Sequence, residues 1–291
     1  MKTTEEILNE SGLNWNVTKE KLMYAGECIP GANNGLHDTD YYAIVREDTG
    51  EVFNAVKKGY TPTQNHVIID TMKKIAGDND LEIVKALPIN GGRKILVQMA
   101  KPDNIVTIGD QKTKQYIYAI NSHDGTSALK FGFMNEVIFC ANQFTWLNSN
   151  GLKGYVHKQS IQDKVSNLPE ILNFEDQDSR IAELHEMSFQ SITRKEISGL
   201  LDYLTGIDST IPNWAGNIST RRNNIRRDLY MAITTETNRL GYNKWGLFNG
   251  VTMYTSHYKS IPNRKNGKEE SVFTGSGQKM NEKAFNWIKM S

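Results

Sequence analysis

Cysteine is nearly absent from this chain. Cys28 and Cys140 are the only two in 291 residues, which excludes a disulfide framework and any zinc-type Cys-x-x-Cys spacing. No apolar run approaches the ~18 residues of a membrane helix, so no span is expected. The opening stretch, MKTTEEILNESG, is polar and acidic without an apolar h-region, so no secretory signal is expected and a cytoplasmic location is. Charge of one sign is lacking too. The formal net charge is +1, which argues against a wholly basic nucleic-acid coat. Signatures that announce a chemistry are missing: there is no Gly-x-Ser-x-Gly and no His-Glu-x-x-His. Gly91-Gly92-Arg93 joins two expected strands rather than opening a helix, and Gly275-Ser276-Gly277 lacks the lysine of a phosphate loop. No cofactor or metal is therefore expected, and an enzyme is the less favoured class.

What is present centres on Tyr116 to Leu147. Tyr116–Ile120 is aromatic and β-branched, which reads as a strand. Asp124-Gly125 is a turn signal, because glycine takes φ > 0 freely and aspartate bonds its own backbone. Thr126–Phe133 reads as the returning strand. Val137–Cys140 reads as a buried strand or the start of a buried helix, and Asn142–Leu147 as helical. His123 beside Asp124 suggests a base and its orienting carboxylate. Adjacent residues of an extended chain point to opposite faces, however. The plainer expectation is that Asp124 builds the turn, His123 bonds a backbone carbonyl and Cys140 is a core thiol.

Before this stretch, residues 1–12 read as a helix ending at Gly12, and Leu13–Val17 as a strand. Gly26–Asp40 reads as a turn-rich connection, within which His37, Asp38 and Asp40 are a weak metal-ligand set or a solvated turn. Tyr41–Arg46 and Val52–Lys57 form a hairpin around Asp48-Thr49-Gly50. A helix follows to about Ala76, then strands at Leu81–Leu87, Lys94–Ala100 and Ile105–Ile108. After Ile161 the texture is helical: Ile161–Phe174 broken at Pro169, Arg180–Thr205, a helix capped by Ser219 or Thr220 and ending at Gly241, Trp245–His257, and Met280–Lys289, with Asn263–Glu270 a polar loop. The fold class is α+β: residues 1–155 an antiparallel sheet with a packed helix, and 156–291 a mainly helical region that either shares that core or forms its own.

Charge is uneven along the chain. Glu170–Glu186 holds six acids against one base, and Ile211–Lys268 ten bases against two acids. Arg221, Arg222, Arg226 and Arg227 recur at helical spacing near a helix start, where guanidinium groups and the dipole both favour phosphate. They are the leading candidates for nucleic-acid binding. The alternatives are a solvated face or pairing with the acidic segment. Lys153 and Lys158, with His157, form a second basic cluster beside Trp146 and Tyr155, two rings able to stack on bases.

The chain also resembles the phage- and plasmid-encoded DUF932 family of domains of unknown function. The residues that carry the resemblance are Tyr42–Arg46 with Asp48-Thr49-Gly50; Gly59–Asn65; Gly91-Gly92-Arg93; Asn121–Ala128; Cys140-Ala141-Asn142; His157; and Leu247–Thr252 with His257. Phe248-Asn249-Gly250 stands where the family pattern has Tyr-Asn-Ala, and the glycine argues against a regular helix there. The hairpin-rich sheet with a packed helix is further similar, by fold-level analogy, to phage single-strand annealing proteins of the Sak type, which form rings. The resemblance implies a homo-oligomer that handles single-stranded DNA during recombination, or a counter-defence protein acting on a host partner.

Overall fold

The computed structural model describes residues 2–26, 35–78, 80–146, 174–210, 218–261 and 266–291. Helix α1 (Thr4–Ser11) starts at a capping box: Thr3 Oγ1 accepts from the Glu6 N–H, and the Glu6 carboxylate accepts from the Thr3 N–H. It ends where Gly12 turns left-handed, as expected. Residues 13–16 are irregular rather than a strand. The alternation there reflects two buried anchors, Leu13 and Trp15, whose carbonyls both accept from Asn65 Nδ2.

Strands β1 (Val17–Ala25), β2 (Leu36–Arg46) and β3 (Val52–Lys57) form an antiparallel sheet in that order. Residues 36–40 belong to β2 rather than to a connection. Their polar composition hides cross-strand pairs: the Tyr24 and His37 rings stack at 5.0 Å, and Lys21 pairs with Asp38. Helix α2 (Asn65–Asp78) buries Ile68, Ile69, Met72, Ile75 and Ala76 completely. That is the i, i+3/i+4 stripe of a core-facing helix.

A second sheet contains β4 (Glu82–Ile89), β5 (Lys94–Ala100), β6 (Ile105–Ile108), β7 (Gln111–Ser122), β8 (Lys130–Val137) and β9 (Gln143–Trp146). Its order is β4-β5-β7-β8-β9, with β6 paired to β7. Two expectations fail here. Residues 138–140 are a turn, with Phe139 79% exposed, and 143–146 are a strand rather than helical. The cause is a tight return: Ala141 takes φ +51° and the Val137 N–H bonds the Asn142 carbonyl at 3.0 Å. Gln143 then bonds its cross-strand neighbour Glu136 at 2.6 Å.

The helices that follow are α3 (Phe174–Met187), α4 (Arg194–Thr205), α5 (Thr220–Leu240), α6 (Lys244–Met253), α7 (Gly267–Phe273) and α8 (Ser276–Met290). Part of the polar loop expected at 263–270 is thus the first turn of α7. The helix expected across Pro169 lies outside the described residues up to 173. Helix α6 is regular through Gly250, and packing explains the glycine. A Cβ there would stand 2.4 Å from the Ile233 Cα, and one at Gly246 2.7 Å from the Gly241 carbonyl oxygen. Glycines one turn apart let α6 lie against α5 at backbone distance. After Met253 the helix widens into a π-helical turn, Tyr254–Tyr258, closed by Lys259 N–H to the Tyr254 carbonyl at 2.8 Å.

The α+β class is as expected. Among the described residues the chain divides into two compact units. The first comprises residues up to 102 and 117–132. The second comprises 103–116, 133–146 and 174–291. Strands β7 and β8 each lend residues to both. Ile44, Ile95, Val97, Ile120 and Phe131 join the α2 face among the fully buried residues of the first unit. Phe144, Leu200, Leu229, Ile233, Trp245 and Val251 lie at the centre of the second.

Candidate nucleic-acid interface

Ser219 caps α5 by accepting from the Arg222 N–H at 3.4 Å. Arg221 and Arg222 lie in the first turn, both exposed, and no acid shares that turn. Neither has a carboxylate within ion-pairing distance among the described residues. Positive side chains at the positive end of a helix are electrostatically unfavourable. Arg221 also lies close enough to Lys259 to hold that ammonium's pKa down, although burial is the larger cause.

One turn further on, the arginines are engaged. Arg226 is half-buried and ion-paired to Asp202 of α4, with its Nη2 3.5 Å from Ser198 Oγ. Arg227 is exposed and pairs with Asp228 at 3.0 Å. The acidic segment is not the partner of either: Glu183 pairs with Arg180 at 3.4 Å and with Lys289. The four arginines expected to act together therefore divide into two open ones and two held ones. Lys153 and Lys158, with His157 and Tyr155, lie outside the described residues.

Between α4 and α5 runs a groove of about 540 Å³, lined by Arg194, Asn223, Arg226, Arg227, Tyr230 and Tyr242 among others. Arg194 opens α4, whose start is fixed by a second capping box. Glu196 N–H donates to Thr193 Oγ1 at 3.2 Å, and Thr193 N–H donates to the Glu196 carboxylate at 2.6 Å. Hydrogen bonds from the Thr193 side chain and then its backbone hold the Glu196 carboxyl below its ordinary range. The sequence reading missed Arg194, Tyr230 and Tyr242, because they come from three stretches whose convergence only the helix packing creates.

The other candidates are structural. His37 and Asp38 make the strand contacts given above. His123 is fully buried; its Nε2 is 2.8 Å from Asn65 Oδ1, and its ring meets Trp15 and Phe53. The partner is thus a side-chain amide, where a backbone carbonyl was expected. Asp124 builds the turn as expected, its Oδ1 accepting from the Thr126 N–H at 3.0 Å, Thr126 Oγ1 at 2.6 Å and Ser122 Oγ. The Tyr60 hydroxyl donates to the Ser122 carbonyl at 2.8 Å, and burial, then Asp124, pushes that phenol's pKa up. Cys140 is half-buried against the core of the second unit, and burial raises its thiol pKa.

A second polar cluster lies inside the second unit. His257 Nε2 is 3.1 Å from Asn142 Oδ1, Asn142 Nδ2 donates to Asn249 Oδ1 at 3.0 Å, and Asn249 Nδ2 donates to Glu236 Oε2 at 2.9 Å. Arg239 pairs with the same carboxylate and reaches Gln111 Oε1 at 2.7 Å. Thr252 Oγ1 donates to Asn249 Oδ1 at 2.9 Å. The motif residues of the two units thus lie largely in buried clusters, whereas the open arginines lie outside them.

No match was found among curated proteins or among solved structures. Residues 52–281 match a family described as "Domain of unknown function (DUF932)", and the chain belongs to that family.

Proposed function

We propose that this protein binds nucleic acid, single-stranded DNA in particular, through the α4–α5 face, and does so as a homo-oligomer during recombination of a phage or plasmid. Strand annealing is the form of this activity that needs no catalytic group. The observation that carries the reading is the exposed pair Arg221–Arg222, without a carboxylate partner among the described residues, at the N-terminus of α5. A phosphate there would accept from both guanidinium groups and from first-turn N–H groups, relieving the charge–dipole conflict.

The test is fluorescence anisotropy of labelled single-stranded and duplex oligonucleotides over a salt series. Binding is expected to weaken steeply with salt. Arg221→Glu with Arg222→Glu should weaken it further and lower the log–log salt slope by about 0.7 per lost single-strand contact. Arg226→Glu is the poorer probe, because it sets a second carboxylate against Asp202. No binding at low salt, or a double variant that binds like the parent, would remove the reading.

A host protein as partner is the second reading, in a counter-defence role. Its support is Phe139 and Phe189, 79% and 74% exposed. Capture of one stoichiometric host protein that survives nuclease treatment and is lost in Phe139→Ser or Phe189→Ser would favour it.

A further inference from the structure

Given that site, we infer that Tyr230 and Tyr242 are base-stacking residues, and that the α4–α5 groove accepts unstacked bases and so prefers a single strand to a duplex. The inference rests on the nucleic-acid reading and adds the basis of its selectivity. Phosphate contacts alone do not provide that selectivity, since a duplex offers phosphates at higher density. Exposed aromatic faces beside cations provide it, because the bases of a duplex are already stacked on one another.

Both rings are half exposed, 51% for Tyr230 and 49% for Tyr242, on a surface where a ring has no core to fill. Their backbones are fixed. Tyr230 lies within α5, one residue past the buried Leu229. Tyr242 is pinned from both sides: its carbonyl accepts from the Ile192 N–H at 3.0 Å, and the Lys244 N–H reaches the Gln190 carbonyl at 2.9 Å. A tyrosine on a fixed backbone loses little freedom when a base stacks on it. The cations are equally prepared. Arg194 projects from a capped helix start, and Asp202 and Ser198 hold the Arg226 guanidinium in one orientation. A groove of about 540 Å³ falls within the ~300–1,000 Å³ range of small-molecule sites, enough for a few nucleotide units but not for a duplex.

Three probes of equal length separate the contributions: a single strand, an abasic single strand and a duplex, each titrated by anisotropy. The parent protein should bind the single strand about tenfold or more tightly than the abasic strand. Tyr230→Ala and Tyr242→Ala should each weaken single-strand binding about tenfold and leave abasic and duplex binding unchanged. Tyr230→Trp and Tyr242→Trp should retain it. Circular dichroism would verify the fold of each variant, and the tryptophan pair keeps the test open if an alanine variant unfolds. Equal affinity of the parent for normal and abasic strands, or alanine variants that bind the single strand as the parent does, would overturn the inference. Arg221→Glu with Arg222→Glu reports separately: it should weaken all three probes alike. If it weakens none, the underlying site is wrong; if it weakens all while the tyrosine variants change nothing, only the stacking assignment falls.

Discussion

The two units use buried polar groups in opposite ways. In the first unit they are mostly neutral and address the backbone. Asn65 donates to the carbonyls of Leu13 and Trp15, Gln64 exchanges two bonds with Val17, Asn54 reaches the Asp124 carbonyl and Tyr60 the Ser122 carbonyl. Each bond pins an irregular segment that no ladder satisfies. In the second unit the side chains address one another and end on a charge. The donors of Asn142 and Asn249 both point along the chain toward Glu236, whose side chain is 2% exposed. Bonds aligned in one direction polarise each other and favour the ionised carboxylate. The comparison teaches that the first cluster is a set of separable ties, whereas the second is one cooperative unit.

Breaking the charge should have the largest effect. Arg239→Met leaves Glu236 buried without its cation and should cost about 3–5 kcal/mol in urea unfolding. Adding Glu236→Met should recover much of that loss, because the uncompensated charge is then gone. Gly250→Ala tests the helix contact that places Asn249 and should cost about 3 kcal/mol, since backbone rather than side chain blocks the new methyl. In the first unit, Asn65→Ala should cost about 2 kcal/mol and show little coupling to Asn54→Ala, as separable ties require. A strong coupling there would erase the distinction between the units.

The smallest expected effect is at the α4 cap. Thr193→Ala should cost about 1 kcal/mol near neutral pH. The folded state holds the Glu196 carboxyl below its ordinary value of 4.5, so the stabilisation is complete above that value and is lost as pH falls through the folded pKa. Glu196→Gln should therefore flatten stability only on the acid side, as melting midpoints across pH would reveal.

Much of the first unit was legible from sequence because its signals are local. Asp48-Thr49-Gly50 and Asp124-Gly125 mark turns wherever they occur, and α2 carries its own periodicity. Gly92 was read correctly as a strand connector. Its reason is distant: it takes φ +102°, and a Cβ would meet the Trp15 ring at 2.8 Å. The second unit was less legible. Helix spacing placed Arg226 beside Arg222, but only the α4–α5 contact pairs Arg226 with Asp202. Glu236 occupies the stripe position after Ile233, where an apolar residue is the default, and its partners are up to 125 residues away in sequence at Gln111 through Arg239. The groove tyrosines carried no signal, since an isolated tyrosine looks the same whether it lines a groove or a bare surface.

The widened turn after α6 also fixes how the chain counts its residues. A π-helical turn holds one residue more than the α-helical turn it replaces, and each residue of an α-helix rotates the next by about 100°. His257 stands inside that turn and meets Asn142 from there. Deleting any one residue of Tyr254–Tyr258 would let the helix run on undisturbed while turning whatever follows to a different face. For this segment, length is therefore as much a part of the specification as identity, and a tolerated change of side chain can still be an intolerable change of number.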